Sequence, residues 1–155
     1  MTKTKNCTAF FCERHWLLAV VGLAVLAPPL QAQRKPANPY SAVYGLFVRT
    51  AQFGSCKVLV SVGTMAGNSS DKCVAAQSKG LDSTYQAAMK SVPASKVKAR
   101  DAIKELYIYL VASIDQLTPL AGENSSAYDR RLSPREAGLS ERETRVKVEL
   151  GLPIE

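Results

Sequence analysis

Histidine is nearly missing from this 155-residue sequence, which contains a single one, His15, close to the N-terminus. Residues 16–155 therefore cannot form a Ser-His-Asp or Cys-His catalytic site, and they cannot bind a metal through histidine. The sequence also has no P-loop and no GxGxxG pattern, so no glycine-rich phosphate-binding loop is predicted. These absences argue against an enzyme and against a bound cofactor or metal.

The first 32 residues have the three-part layout of a cleaved secretory signal peptide. Their start is basic, with Lys3, Lys5 and Arg14. An uncharged apolar run follows at Trp16–Ala27, two prolines end it, and Ala32 supplies a small residue before cleavage at Gln33. A membrane anchor is the alternative, but a spanning helix needs about 20 apolar residues and this run is shorter. We therefore expect a periplasmic or secreted protein with no transmembrane segment after cleavage.

The remaining residues are predicted to form one domain with a positive charge. The whole chain has a net charge of +7, and residues 33–155 keep +5, because the first 32 residues contain three basic residues and one acid. We expect an extended lead-in at 33–39, a single helical domain at 40–150 and a tail at 151–155. Nucleic acid is not a predicted partner, since the charge is moderate and no binding motif is present.

Only two cysteines, Cys56 and Cys73, follow the predicted cleavage site. In an exported chain such a pair more often forms a disulfide than a metal or catalytic site. The alternative is a pair of buried reduced thiols. We predict that the two residues are bonded and link the first helix to the second.

Apolar residues recur at three- and four-residue spacing in four segments, which predicts helices. The segments lie at about 40–63, 71–92, 93–117 and 125–150. The first is ambiguous, because Gly54 weakens it and residues 58–62 (VLVSV) also suit a strand, so a short hairpin turning around residues 53–55 is the alternative. In the last segment, Pro134 is expected to end one helix, and Ser133 to cap a new one. The predicted fold is a small all-α, four-helix-type bundle whose last helix is broken at Pro134.

Two features of the predicted third helix are candidates for binding a partner. Lys96, Arg100 and Lys104 follow one another at i, i+4 and i+8, and form a basic stripe that would attract an anionic surface. The alternative is an ordinary solvated face, since acidic residues alternate with them. Tyr109 does not fit the apolar stripe of its helix and is expected to be exposed, where an aromatic ring often contacts a partner.

These observations predict an exported, non-enzymatic helical protein that binds another envelope macromolecule, as an inhibitor, immunity or accessory factor does. The partner is expected to be an envelope protein or an anionic envelope polymer. The alternative is a small enzyme or small-molecule carrier that uses a cavity in the bundle. A continuous exposed apolar patch would favour the first function, and a polar cluster inside the bundle would favour the second.

Overall fold

The protein's computed structural model describes residues 38–62 and 68–154. The predicted signal peptide and most of the lead-in lie outside the described residues. Within these residues the chain forms five helices: α1 (Ser41–Val62), α2 (Asn68–Ser78), α3 (Leu81–Ser91), α4 (Val97–Ile114) and α5 (Ser125–Leu150). Within the two described ranges no strand is present, so the all-α prediction is confirmed.

α1 is continuous from Ser41 to Val62, and the alternative of a short hairpin is wrong. Its inner side packs against all four other helices, and Phe53 and Val60 are buried there at helical spacing. Gly54 lies against α5, where a Cβ atom would stand 3.0 Å from the Glu136 carboxylate. Packing therefore decides the conformation of residues 58–62, because their β-branched side chains also suit a strand.

The predicted second helix is two helices, α2 and α3, because the chain turns at Gly80. This glycine has φ +72°, a left-handed conformation that ends α2 and precedes α3. Arg49 of α1 stabilises the end of α2 by donating hydrogen bonds to the carbonyl oxygens of Ala76 (3.0 Å) and Lys79 (2.8 Å). Gly80 is thus a helix terminator, whereas the sequence pattern predicts a single helix over 71–92.

α5 runs through Pro134 without ending, and the predicted break there is wrong. A proline removes the hydrogen bond to the carbonyl four residues earlier, here that of Arg130. Arg130 and Pro134 are both exposed, so water can satisfy that carbonyl. The apolar residues on either side, Leu132 and Leu139, are both buried in the same core, which holds the two halves of α5 as one helix.

The core lies between α1, α3, α4 and α5. Its largest fully buried side chain is Tyr128 of α5, whose hydroxyl donates a 2.9 Å hydrogen bond to the carbonyl oxygen of Leu117. The loop after α4 is thereby attached to α5. In the described part of the chain, no helix is long and apolar enough to cross a membrane.

Cys56 of α1 and Cys73 of α2 form the predicted disulfide. Their Cα atoms are 5.7 Å apart, within the usual range for a disulfide. The bond joins the two helices on either side of residues 63–67. The predicted helix–helix disulfide is therefore confirmed.

Candidate binding surface

The outward face of α1 is uncharged and largely apolar along almost the whole helix. We define the α1 face by seven residues on that side: Tyr44, Val48, Ala51, Ser55, Val58, Leu59 and Val62. All seven are exposed, and the fractions of the large side chains run from 38% for Tyr44 to 81% for Val62. Six of them follow at alternating spacings of four and three residues, which is the heptad spacing of a coiled-coil seam.

The two charged residues of α1, Arg49 and Lys57, are both used elsewhere. Arg49 holds the end of α2, as described above. Lys57 reaches α5, where its ammonium lies 2.8 Å from the Glu136 carboxylate and 3.1 Å from the Ser133 hydroxyl. Because both cations turn toward neighbouring helices, the α1 face carries no charge of its own.

A groove borders the α1 face where α1 meets α5. One open hollow of about 600 Å³ is lined by Ala51, Gly54, Ser55, Val58, Leu59 and Glu136. A second, of about 420 Å³, adjoins it, because it shares Ala51 and Glu136 with the first. The apolar helix face therefore continues into a depression rather than ending at a flat surface.

The second hollow contains a polar cluster formed by Thr50, Glu143 and Lys147. The Thr50 hydroxyl contacts the Glu143 carboxylate and also the carbonyl oxygen of Phe47, at 2.8 Å. The Lys147 ammonium lies 2.9 Å from the other Glu143 oxygen and 5.4 Å from the centroid of the Phe47 ring. These contacts join α1 to α5, and they also put a hydroxyl, a carboxylate and an ammonium side by side in a hollow.

The predicted basic stripe does not consist of three free cations. Lys96 precedes α4, and its ammonium lies 5.6 Å from the centre of the Tyr40 ring. Arg100 is half-buried and donates hydrogen bonds to the carbonyl oxygens of Met89 (2.6 Å) and Val92 (2.9 Å), at the end of α3. Lys104 is exposed. Arg100 thus has a structural task, and a binding role for the stripe stays a prediction.

Tyr109 is half-buried, whereas the sequence pattern predicts an exposed ring. The guanidinium carbon of Arg142 lies 3.9 Å from the centre of the ring, and that of Arg135 lies 5.3 Å from it. The ring packs on Gly138 of α5, where a Cβ atom would be 2.7 Å from the ring carbon that bears the hydroxyl. Arg135, Gly138 and Arg142 follow at i, i+3 and i+7, which places them on one face of α5. This spacing could have indicated the arrangement, but it was not predicted from the sequence.

The groups with shifted pKa values belong to contacts that hold the fold together. The hydrogen bond from Arg131 lowers the pKa of Glu123, and Arg131 also donates to the carbonyl oxygen of Gln116, at 2.7 Å. The hydrogen bond to Asp82 raises the pKa of Tyr107. Across residues 38–62 and 68–154, no three side chains of the metal-binding types come together.

Comparisons with protein-family models, with curated proteins and with solved structures give no match to this chain.

Proposed function

We propose that this chain is an exported, non-enzymatic protein that binds another envelope protein through the α1 face. The observation that carries the proposal is the exposed, charge-free row from Tyr44 to Val62. Soluble proteins rarely leave such a large apolar patch exposed unless it contacts a partner.

The chemistry of the α1 face favours a helix of another protein as the partner. An anionic polymer would need cations, and the face has none. Tyr44 to Val62 spans about 27 Å, roughly five helical turns, which is long enough to pair with a partner helix. The small residues Ala51 and Ser55 in the middle permit a close approach, and the heptad spacing suits packing of knobs into holes.

Export rests on two supports from the sequence and the fold. The N-terminal segment has signal-peptide layout, and the Cys56–Cys73 disulfide suits an oxidising compartment. We expect the intact mass of protein recovered from the envelope fraction to correspond to a chain that begins at or near Gln33. A full-length chain in the inner membrane would contradict export with cleavage.

Footprinting of a purified complex tests the binding surface. The mature chain, tagged, would capture its partner from an envelope extract, and hydroxyl-radical labelling would then compare the free chain with the purified pair. Tyr44 and Leu59 should lose reactivity, while Leu120, in the loop after α4 and as exposed as Leu59 at 61%, should keep it. Protection at Leu120 without protection at Tyr44 and Leu59 would contradict the proposal.

A second copy of this chain is the main competing occupant of the α1 face. Light scattering on the purified mature chain distinguishes the two, because self-pairing through the face would give a dimer without any partner. We expect a monomer. A stable dimer whose labelling pattern protects Tyr44 and Leu59 would show that the face serves self-association instead.

The hollow with Thr50, Glu143 and Lys147 supports the second candidate function, a small enzyme or small-molecule carrier. Nucleophilic chemistry needs a hydroxyl next to a base, and these three groups lie together there. The variant Thr50→Val removes the hydroxyl with little change in volume. If a substrate is turned over by the wild-type chain and not by this variant, the enzyme alternative replaces the binding proposal.

A further inference from the structure

Arg135 and Arg142, both close to the Tyr109 ring, are cations without a carboxylate partner among the described residues. The four ion pairs found there involve other basic residues, including Arg131 with Glu123 and Arg145 with Glu105. Arg135 donates from Nε to the Gln116 side chain, at 3.2 Å, and Arg142 donates from Nη1 to the carbonyl oxygen of Gly138, at 2.9 Å. Since a guanidinium has five N–H donors, most of the donors on both arginines remain available to a ligand.

Both arginines are held in place before any ligand arrives. Arg142 stacks at 3.9 Å on the Tyr109 ring, and Arg135 lies at 5.3 Å from it. The ring itself is fixed by its contact with Gly138. A guanidinium that is already ordered loses less side-chain entropy when it pairs with an oxyanion, so this arrangement favours binding.

A hollow of about 270 Å³ lies beside this cluster. Its lining is mainly apolar: Ile108, Tyr109 and Ala112 of α4 form one side, and Arg142 supplies the cation. Glu105 also lines the hollow, and its carboxylate pairs with Arg145 at 2.7 Å. The volume is below the roughly 300–1,000 Å³ of sites for drug-sized ligands, so the hollow fits a short apolar group.

We propose that Tyr109 and Arg142, which both line this hollow, form a binding site for a carboxylate that is attached to a short apolar group. The carboxylate pairs with the free N–H groups of Arg142, and the positive charge of Arg135 adds to the attraction. The apolar group lies against Ile108 and Ala112. A singly charged carboxylate fits better than a doubly charged phosphate, because the nearby Glu105 repels a dianion about twice as strongly.

Two sources supply this chemistry: the C-terminal residue of a peptide, and a free aliphatic acid. The site is separate from the α1 face, since it lies between α4 and α5, and its test does not depend on the partner proposed above. N-acetyl-leucine and hexanoate are suitable probes for the two sources. Binding of either probe supports the site, and the stronger of the two identifies the source.

The direct test is a titration of the purified mature protein, followed by the NMR shifts of the Ile108 methyl groups. Hexanoate should bind with a dissociation constant in the millimolar range, as expected for so small a ligand. Hexanol, which has the same chain without the charge, and acetate, which has the charge without the chain, should each bind at least about tenfold more weakly. Equal binding of hexanol and hexanoate, or no binding of either acid probe, would overturn the proposal.

Substitutions distinguish the contributions of the two arginines to hexanoate binding. Arg142→Gln should weaken hexanoate binding about tenfold or more, since a charge-assisted hydrogen bond is lost, and Arg135→Gln should weaken it less. Arg142→Lys should bind more weakly than wild type, because lysine keeps the charge and loses the planar fork. The control is Arg130→Gln, which removes an exposed cation from the same helix and should leave binding unchanged.

Circular dichroism shows whether each variant is folded, and the comparison of hexanoate with hexanol on the wild-type chain needs no variant at all. Wild-type affinity in Arg142→Gln would show that Arg142 does not bind the carboxylate. An equal loss of hexanoate affinity in Arg130→Gln would show that the effect comes from general charge attraction. Either result would overturn the proposal.

Discussion

Tyr128 combines complete burial of a large ring with one hydrogen bond, from its hydroxyl to the Leu117 carbonyl oxygen. The variant Tyr128→Phe keeps the ring and leaves that buried carbonyl without this donor. We expect the free energy of unfolding to fall by about 1–2 kcal/mol, as measured by urea denaturation near neutral pH. The control is Tyr44→Phe, on a partly exposed tyrosine, which should change it by less than about 0.5 kcal/mol.

The same residue predicts a pH dependence. Burial raises the pKa of Tyr128 to about 12 in the folded chain, from an ordinary value of 10.0. The neutral phenol is therefore favoured by folding, and its contribution to stability is complete below pH 10 and is lost as the pH rises toward 12.

Because phenylalanine does not titrate, the stability difference between wild type and Tyr128→Phe should shrink across this range, by about 1.4 kcal/mol per pH unit. Unfolding measured from pH 9 to pH 11 tests this. A difference that stays constant with pH would contradict the burial of the phenol.

At the scale of the helices, Pro134 gives the clearest test of α5. If α5 is continuous, Pro134→Ala adds a backbone N–H that can bond to the Arg130 carbonyl, and it removes the strain of an internal proline. We expect the free energy of unfolding to rise by about 2 kcal/mol in urea denaturation, since a helix-interior proline costs about 3 kcal/mol relative to alanine and the freer unfolded chain offsets part of this. If the helix breaks at Pro134, as the sequence pattern predicts, the substitution should be neutral or destabilising.

The disulfide between α1 and α2 should contribute to stability mainly through the unfolded chain. Its cysteines are 17 residues apart, and a loop of that length corresponds to about 3 kcal/mol. We expect Cys73→Ser to lower the free energy of unfolding by about that amount, with unchanged helical circular dichroism. The control is the double variant Cys56→Ser/Cys73→Ser, whose stability should not change when a reductant is added. If the reductant also leaves the stability of the wild type unchanged, the prediction is contradicted.

The helical pattern of the sequence predicted the class of fold, because periodic apolar residues report directly on which side of a helix is buried. It misplaced two boundaries, at Gly80 and Pro134, where a local rule competes with packing. At Gly80 the left-handed turn is stabilised by Arg49 from another helix. At Pro134 the helix continues because Leu132 and Leu139 share one core. Arg49 is distant in sequence from Gly80, and the burial of Leu132 and Leu139 depends on the helices that α5 packs against, so neither effect follows from the neighbouring residues alone.

The candidate surfaces were harder to predict for a similar reason. The spacing of Lys96, Arg100 and Lys104 is plain in the sequence, but the hydrogen bonds of Arg100 to the end of α3 depend on how α3 and α4 pack. The α1 face is not evident from the sequence, because α1 carries apolar residues on both its buried side and its exposed side. Only the arrangement of the other helices shows which side of α1 they leave uncovered.

On the scale of the whole molecule, a chain of net charge +7 presents one long surface without charge. This contrast predicts a different salt dependence for two kinds of association. Partners attracted by the basic surface should bind more weakly as salt increases, because the screening length falls to about 8 Å at physiological ionic strength. A partner on the α1 face should be nearly insensitive to salt, because apolar burial dominates there.

The most direct test of the α1 face compares two valines with the same exposed fraction, 56%: Val58 on the α1 face and Val148 on α5. The measurement is the dissociation constant of the purified partner by calorimetry for Val58→Glu and for Val148→Glu. If the α1 face is the binding surface, Val58→Glu should weaken binding at least about tenfold, because an unpaired carboxylate would be buried in the interface, and Val148→Glu should match the wild type. Unchanged affinity in Val58→Glu, or an equal loss in both variants, would contradict the account.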